Sequence, residues 1–232
     1  MDRIKSIREA EKNYHDYCYD QYSLFTEGSW LHKPVKTVLD YMDFLEGVEE
    51  VKILDLGSGI GRNSIPMAQK LDKGKVVCVD ILDSAIQKLS LYSQRFGVED
   101  KIYPIKEDIA SFEIQKCSFH YIVAVSSLEH VDSEECLDLV LNRMVKGTIR
   151  GGINCLVVNS NVQEIDIKSG KKLEPMMEVN LSRDHMLEKL RDTYSKWDEL
   201  TMQVKPLEYK IQRNENDILM KTNAVTFVVR KR

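Results

Sequence analysis

The chain has 232 residues, 43% of them hydrophobic and 30% charged, the ordinary balance of a globular protein with enough length for one full core. Its formal net charge of −4 argues against a general nucleic-acid binder, and no apolar run is long enough to cross a bilayer as a helix, so neither nucleic acid nor membrane is expected as a partner. Five cysteines, at 18, 78, 117, 136 and 155, form no Cys-x-x-Cys pair. Reduced thiols in a cytoplasmic protein without a signal peptide are the expectation.

Residues 1–25 read as a charged helix that passes into an aromatic segment. Tyr14, Tyr17, Tyr19, Tyr22, Phe25 and Trp30 crowd there, with His15 among them. Two compatible roles follow: the rings dock the helix, or they form a lid whose faces meet a cation. Pro34 can open a second helix, in which Val35, Val38, Leu39, Met42 and Leu45 recur at helical spacing to about residue 46. Gly47 ends it.

The stretch Val51 to Arg62 organises the rest. It reads V-K-I-L-D-L-G-S-G-I-G-R, a buried-strand pattern that breaks into Gly57, Gly59 and Gly61 before a new apolar helix begins. A strand, a glycine-rich turn and a helix start make a nucleotide-type binding corner. Asp55 stands where its carboxylate can orient the turn or meet a ligand cation. A dinucleotide fingerprint needs a third glycine at position 62, which is Arg62, so nicotinamide binding is disfavoured. The helix should start between Arg62 and Ile65, with its free N–H groups toward a ligand carboxylate.

A second strand, Lys75 to Asp80, ends on an acidic tip that suits ribose hydroxyls. Ser84 and Gln87 fit a capping box for the next helix. Ile102, Tyr103 and Ile105 give a third strand, leading into Asp108 and Ile109. Phe119 to Val125 reads as a central strand that ends in Ser126-Ser127-Leu128-Glu129-His130, which places Ser126 and His130 at the C-terminal strand edge. After a helix starting near Asp132 and the turn Arg150-Gly151-Gly152, a fifth strand covers Ile153 to Val158. Residues 159–181 look like a long irregular loop over the cleft. A last helix is expected from about Arg183 to Tyr194. Trp197 to Ile211 and Ile218 to Val229 then form an antiparallel hairpin around Arg213-Asn214-Glu215-Asn216-Asp217. The basic cluster Arg230-Lys231-Arg232 reads as a solvated tail. The alternation predicts a single α/β domain over 1–232, doubly wound, with residues 1–33 as an aromatic extension on a 34–232 core.

Asp55, the three glycines, Asp80 and Asp108, in this order, resemble the class I S-adenosylmethionine-dependent methyltransferases. L-D-L-G-S-G-I-G-R-N-S, the Tyr-rich N-terminus and the ending F-V-V-R-K are most similar to the tellurite-resistance methyltransferases. The resemblance implies a mostly parallel seven-stranded Rossmann-like sheet of order 3-2-1-4-5-7-6 with a C-terminal antiparallel hairpin. It implies S-adenosyl-L-methionine as cofactor, contacted by Asp55, Gly57, Ser58, Gly59, Gly61, Arg62, Asn63, Asp80, Ile81, Asp108, Ile109 and Ser126. It also implies methyl transfer to a small-molecule acceptor, such as a chalcogen oxyanion or a thiol. Those acceptors need no strong base, whereas an amine or hydroxyl would draw on His15, His130 or Tyr14. A non-catalytic scaffold that keeps the cofactor site is the alternative. No metal-ligand spacing is present, and the oligomeric state is left open.

Overall fold

The computed structural model describes residues 3–213 and 216–232. Helix α1 (Arg3–Gln21) is followed by α2 (Lys36–Asp40), β1 (Val51–Leu56), α3 (Ser64–Lys70), β2 (Gly74–Asp80), α4 (Asp83–Arg95), β3 (Ile102–Lys106) and β4 (Phe119–Val125). Then come α5 (Glu134–Gly147), β5 (Thr148–Asp166), β6 (Lys172–Leu173), α6 (Arg183–Thr193), β7 (Asp198–Arg213) and β8 (Asn216–Arg230).

The strands form one sheet of order β3-β2-β1-β4-β5-β8-β7, with β6 paired only to β5. Leaving β6 aside, this is the expected order. Strands β1 to β5 are parallel, and β8 runs antiparallel between β5 and β7. The period-two alternation of the apolar strands splits the core between the two faces. Ile53, Val76, Cys78, Tyr121, Val123 and Cys155 pack with Val38, Ile65 and Leu89 on one side. Leu54, Leu56, Ile122, Ala124 and Leu156 pack with Leu137, Leu141, Met186 and Leu190 on the other. Both faces are therefore covered by helices, as near-continuous apolar parallel strands require.

Several expected elements take a different form. Residues 159–181 are not one loop, because β5 continues to Asp166. Val158, Ser160, Val162 and Glu164 alternate inward there, and the strand pairs with β8 as far as Asp166↔Ile218. Polar side chains mask that strand in the sequence, and the long β8 satisfies its backbone. A register shift between Ser160 and Gln163 accommodates Asn161, whose φ is 52°. The helix expected to residue 46 stops at Asp40 and tightens into a 3-10 turn, Tyr41–Leu45. A three-residue period brings both Met42 and Leu45 into the core.

The Ser84–Gln87 capping box does not form. Helix α4 starts at Asp83, and Ser84 Oγ donates instead to Asp16 on α1. The cluster Arg230-Lys231-Arg232 is not a solvated tail either. Lys231 Nζ caps the carbonyls of Val145 and Thr148 at 2.8 and 2.7 Å, behind the last turn of α5. Arg230 donates to the Gly151 carbonyl and Arg232 pairs with Asp198. Of the expected hairpin turn, Asn214 and Glu215 lie outside the described residues.

All five cysteines are free, and Cys18, Cys78 and Cys155 are buried. Among the described residues no helix is long and apolar enough to cross a membrane.

Candidate active site

A cleft of about 1400 Å³ lies at the C-terminal ends of β1, β2 and β4, covered by α1 and by the hairpin β7–β8. Its floor is the glycine turn after β1. Gly57 N and Ser58 N both donate to Val79 O, at 2.8 and 3.0 Å, which locks the turn onto the end of β2. Gly57 has φ 75°, and a Cβ there would stand 2.3 Å from Ser127 Cβ. A side chain is excluded both by conformation and by space. Gly61 faces away from the cleft, toward Leu89 and Ile65.

Two carboxylates anchor this turn. Asp80 is 8% exposed and lines the cleft. It accepts from Gly59 N at 2.8 Å and Leu82 N at 2.9 Å. Burial pushes its carboxyl up, against these backbone N–H groups. Of the two roles open to Asp55, the structure shows that it orients the turn. It is 1% exposed, does not line the cleft, and accepts from Ser64 Oγ at the start of α3. Burial raises it to about 6, opposed by Ser64 and Arg62. Asp55 orients the turn from beneath.

Asn63 also serves the scaffold, since its Oδ1 accepts from Val35 N at 2.9 Å. The N–H of Ile65, expected to face a ligand, donates to Gly61 O. Arg62 donates to Trp30 O at 3.0 Å, and its guanidinium lies 5.2 Å from the Trp30 ring centroid. Ile81, Ile109 and Ser126 all line the cleft. Asp108 lines it too, with Oδ1 taking Ala110 N and Oδ2 held by Arg8 at 2.9 Å. Arg8 reaches Asp132 as well, at 2.9 Å.

Helix α1 lies over the opening and presents Arg8, Glu11, Tyr14, His15 and Cys18 to it, at spacings of three and four that share a helical face. The His15 ring sits 5.6 Å from both Tyr14 and Tyr19 and 5.7 Å from Trp30. These rings line the cleft where α1 docks over it. Phe25 is the exception and packs on Phe96.

The charged groups at the far end of the cleft escaped the sequence reading apart from the histidines. His130 Nδ1 pairs with Glu178 at 3.0 Å, and the Glu178 side chain is only 1% exposed. Glu129 is fully buried, and its Oε1 accepts from Asn159 N and Nδ2. Arg213 Nη2 meets Glu11 at 3.3 Å and Glu164 at 3.2 Å. Burial opposes the charged ring of His130, but the Glu178 hydrogen bond and the charges of Glu129 and Glu11 outweigh it and push it up to about 9. His15 moves the other way, lowered by burial to about 4. Burial also raises Tyr14 well above its ordinary range. At neutral pH His130 therefore holds its proton and His15 does not. Glu11 and Glu129 are both raised by burial.

Four buried side-chain polar atoms among the described residues have no hydrogen-bond partner: His15 Nδ1, Ser58 Oγ, Glu129 Oε2 and Arg213 Nη1. Three belong to residues that line the cleft, and Glu129 stands between the lining residues His130 and Asn159. Orphaned polar atoms are costly, so their concentration here marks a place prepared for a ligand. Among the described residues no group of three or more His, Cys, Asp or Glu side chains is arranged to hold a metal.

The family model of a methyltransferase domain matches residues 53–152, which span β1 to the start of the buried part of β5. TehB from Haemophilus influenzae is similar in structure, with 22% identity over 94% of this chain and 67% of its own, at a TM-score of 0.64. An S-adenosylmethionine-dependent methyltransferase from Methanosarcina mazei matches with 18% identity over 86% of this chain and 98% of its own, at a TM-score of 0.58. A geranyl diphosphate methyltransferase, solved with its diphosphate and sinefungin, matches with 13% identity over 84% of this chain and 78% of its own, at a TM-score of 0.60. At these identities the likenesses speak for the fold, and the matched domain speaks for the activity.

Proposed function

We propose that this chain, an enzyme of methyl transfer whose cofactor is S-adenosylmethionine, methylates a small organic acceptor held between α1 and the β7–β8 hairpin. The observation that carries this reading is the size and make-up of this cleft. At about 1400 Å³ it exceeds the few hundred to roughly 1000 Å³ that a single bound ligand needs. Cofactor and acceptor can therefore share it.

The residues fit the cofactor. Gly57 and Gly59 leave the floor of the turn bare, Ser58 Oγ is an unpartnered donor, and the Asp80 carboxylate stands at the tip of β2. In this reading Asp80 takes the ribose hydroxyls, Ile81 and Ile109 flank the adenine, and Asp108 accepts from its amino group beside Arg8. Gly57, Ser58, Gly59 and Ser126 follow the amino-acid end, while Asp55, Gly61 and Asn63 support the turn. Arg62 steadies Trp30. When bound, the cofactor supplies a methyl group activated on a sulfonium. The chain's own contribution is positioning and exclusion of water.

Within the cleft, Leu207, Tyr209, Ile211 and Met220 of the hairpin form an apolar wall, and α1 closes the opposite side. That wall favours an acceptor with an organic body. The buried carboxylates beyond it disfavour a chalcogen oxyanion, which would add a further negative charge in a poorly solvated space. We place the chain in a single domain with its first 33 residues as the lid, and in the cytoplasm, in keeping with five free thiols.

Calorimetry with S-adenosylmethionine and S-adenosylhomocysteine tests the cofactor half. Transfer of labelled methyl into a pool of cell metabolites tests the enzyme. Cofactor binding with no labelled product in any pool would leave a scaffold and end the catalytic reading.

A further inference from the structure

The acceptor end of the cleft carries more negative charge than its cations balance. His130 faces Glu178 at 3.0 Å and feels Glu129 and Glu11. Arg213 is shared between Glu11 and Glu164. Four carboxylates thus stand against two cations. Glu164 and the Glu178 side chain are at most 2% exposed, and Glu129 is fully buried. Buried carboxylates in excess are costly unless a cation completes them.

Two further observations point to a ligand as that cation. Glu129 Oε2 is buried with no partner. The rings of Tyr14 and Tyr209 line the same space, and aromatic faces attract a cationic group. A carboxylate, phosphate or oxyanion acceptor would worsen the imbalance. A neutral alcohol or thiol would leave it unrelieved.

We propose that the acceptor is an organic amine, bound as its ammonium ion against Glu11 and Glu178 with Glu129 behind them. This rests on the methyl-transfer reading of the cleft. Glu11 lines the cleft, and burial raises its affinity for a proton. The ammonium gives one proton to the Glu11 carboxylate and becomes a neutral amine. The amine lone pair forms the new nitrogen–carbon bond, and the carbon–sulfur bond breaks with its electron pair going to sulfur. The product leaves as a methylated ammonium ion, and Glu11 returns its proton to water.

Four probes with one body and different heads test the assignment: phenethylamine, 2-phenylethanol, 2-phenylethanethiol and 3-phenylpropionate. Each is titrated by calorimetry into the full chain saturated with S-adenosylhomocysteine. Phenethylamine is expected to bind at least about tenfold more tightly than the other three. Glu11→Gln and Glu178→Gln are each expected to weaken it by about tenfold while leaving the S-adenosylhomocysteine affinity unchanged. Equal or tighter binding of the alcohol, thiol or acid overturns the proposal, as does the failure of all four probes to bind. The proposal also falls if the variants leave phenethylamine unaffected but weaken S-adenosylmethionine relative to S-adenosylhomocysteine, because the carboxylates then serve the sulfonium. Should Glu178→Gln not fold, Glu11→Gln on the half-exposed helix face carries the same comparison. Absence of S-adenosylhomocysteine binding is a separate outcome, which removes the methyl-transfer reading and the amine with it.

Discussion

The His130–Glu178 pair makes stability depend on pH in a window where few other groups titrate. The folded protein holds the His130 proton up to about pH 9, against an ordinary value of 6.5. A histidine whose folded pKa is raised contributes stability that is complete below the unfolded value and is lost as pH rises toward the folded one. At about 1.4 kcal/mol per pKa unit, the full contribution is roughly 3 kcal/mol, and about half to two-thirds of it disappears between pH 7 and 8.5. Asp55, at about 6, has finished titrating by then. His15 is already neutral in both states above its ordinary value of 6.5. Cys78 and Cys155, with ordinary values of 9.0, begin to matter only above the window. Urea denaturation at half-unit steps from pH 7 to 8.5 should show unfolding free energy falling by about 1.5–2 kcal/mol. His130→Gln should be less stable at pH 7 and nearly flat across the window. A flat wild-type profile, or a slope that survives in His130→Gln, would show that the pair does not hold the proton.

Asp80→Ala removes the acceptor for Gly59 N and Leu82 N and the proposed ribose contact, so S-adenosylhomocysteine affinity should fall by about 1–3 kcal/mol in calorimetry; an unchanged dissociation constant refutes the role. Gly57→Ala forces a Cβ to 2.3 Å from Ser127 at φ 75°, and overpacking together with the left-handed backbone should cost about 3 kcal/mol in a thermal or urea melt. Arg8→Ala breaks two half-exposed ion pairs, to Asp108 and Asp132, worth at most about 1 kcal/mol each. Hydrogen exchange of the α1 amides should then quicken several-fold, with no change in the amides of β1 and β4.

The parts of the fold that could be read from the chain are those held by local rules. The apolar run and glycines of Val51 to Arg62, the acidic tip at Asp80 and the alternation of strand and helix each follow from a few neighbouring residues. The extension of β5 could not be read this way. Asn159, Ser160, Asn161, Gln163 and Glu164 carry a loop-like composition, and only the partner β8 makes them a strand. The register of β1 turns Asp55 toward Ser64 at the start of α3, so of its two expected roles the structure shows the one that orients the turn. Within the site, His15, His130 and Tyr14 stood out by residue type, yet burial sets the protonation of His15 and Tyr14, while Glu178, Glu129 and Glu11 set that of His130, reaching it from the segment before α6, the segment after β4 and α1. One signal was present: Arg8, Glu11, His15 and Cys18 share a helical face, and a charged face beside an aromatic cluster deserves a cleft-side reading. Nothing in the chain announces that Glu178 and His130 meet.

The division between what relatives explain and what they leave open follows the same boundary. Residues 53–152, where the family model matches, contain the glycine turn, Asp80, Asp108 and Ser126, the residues assigned above to the cofactor in the proposed reading. Glu11, Tyr14 and His15 precede that segment, while Glu164, Glu178, Tyr209 and Arg213 follow it. In the proposed reading, the acceptor chamber is built largely from a covering helix and a terminal hairpin, which lie outside the parallel strands. Glu129 and His130 are the exceptions, at the seam where β4 ends. They bind the two halves together, because Glu178 from the outer segment is the strongest of the carboxylates that raise His130. If the proposed amine reading holds, the acceptor is selected by how the outer elements charge this seam, and the common fold by itself leaves it unspecified.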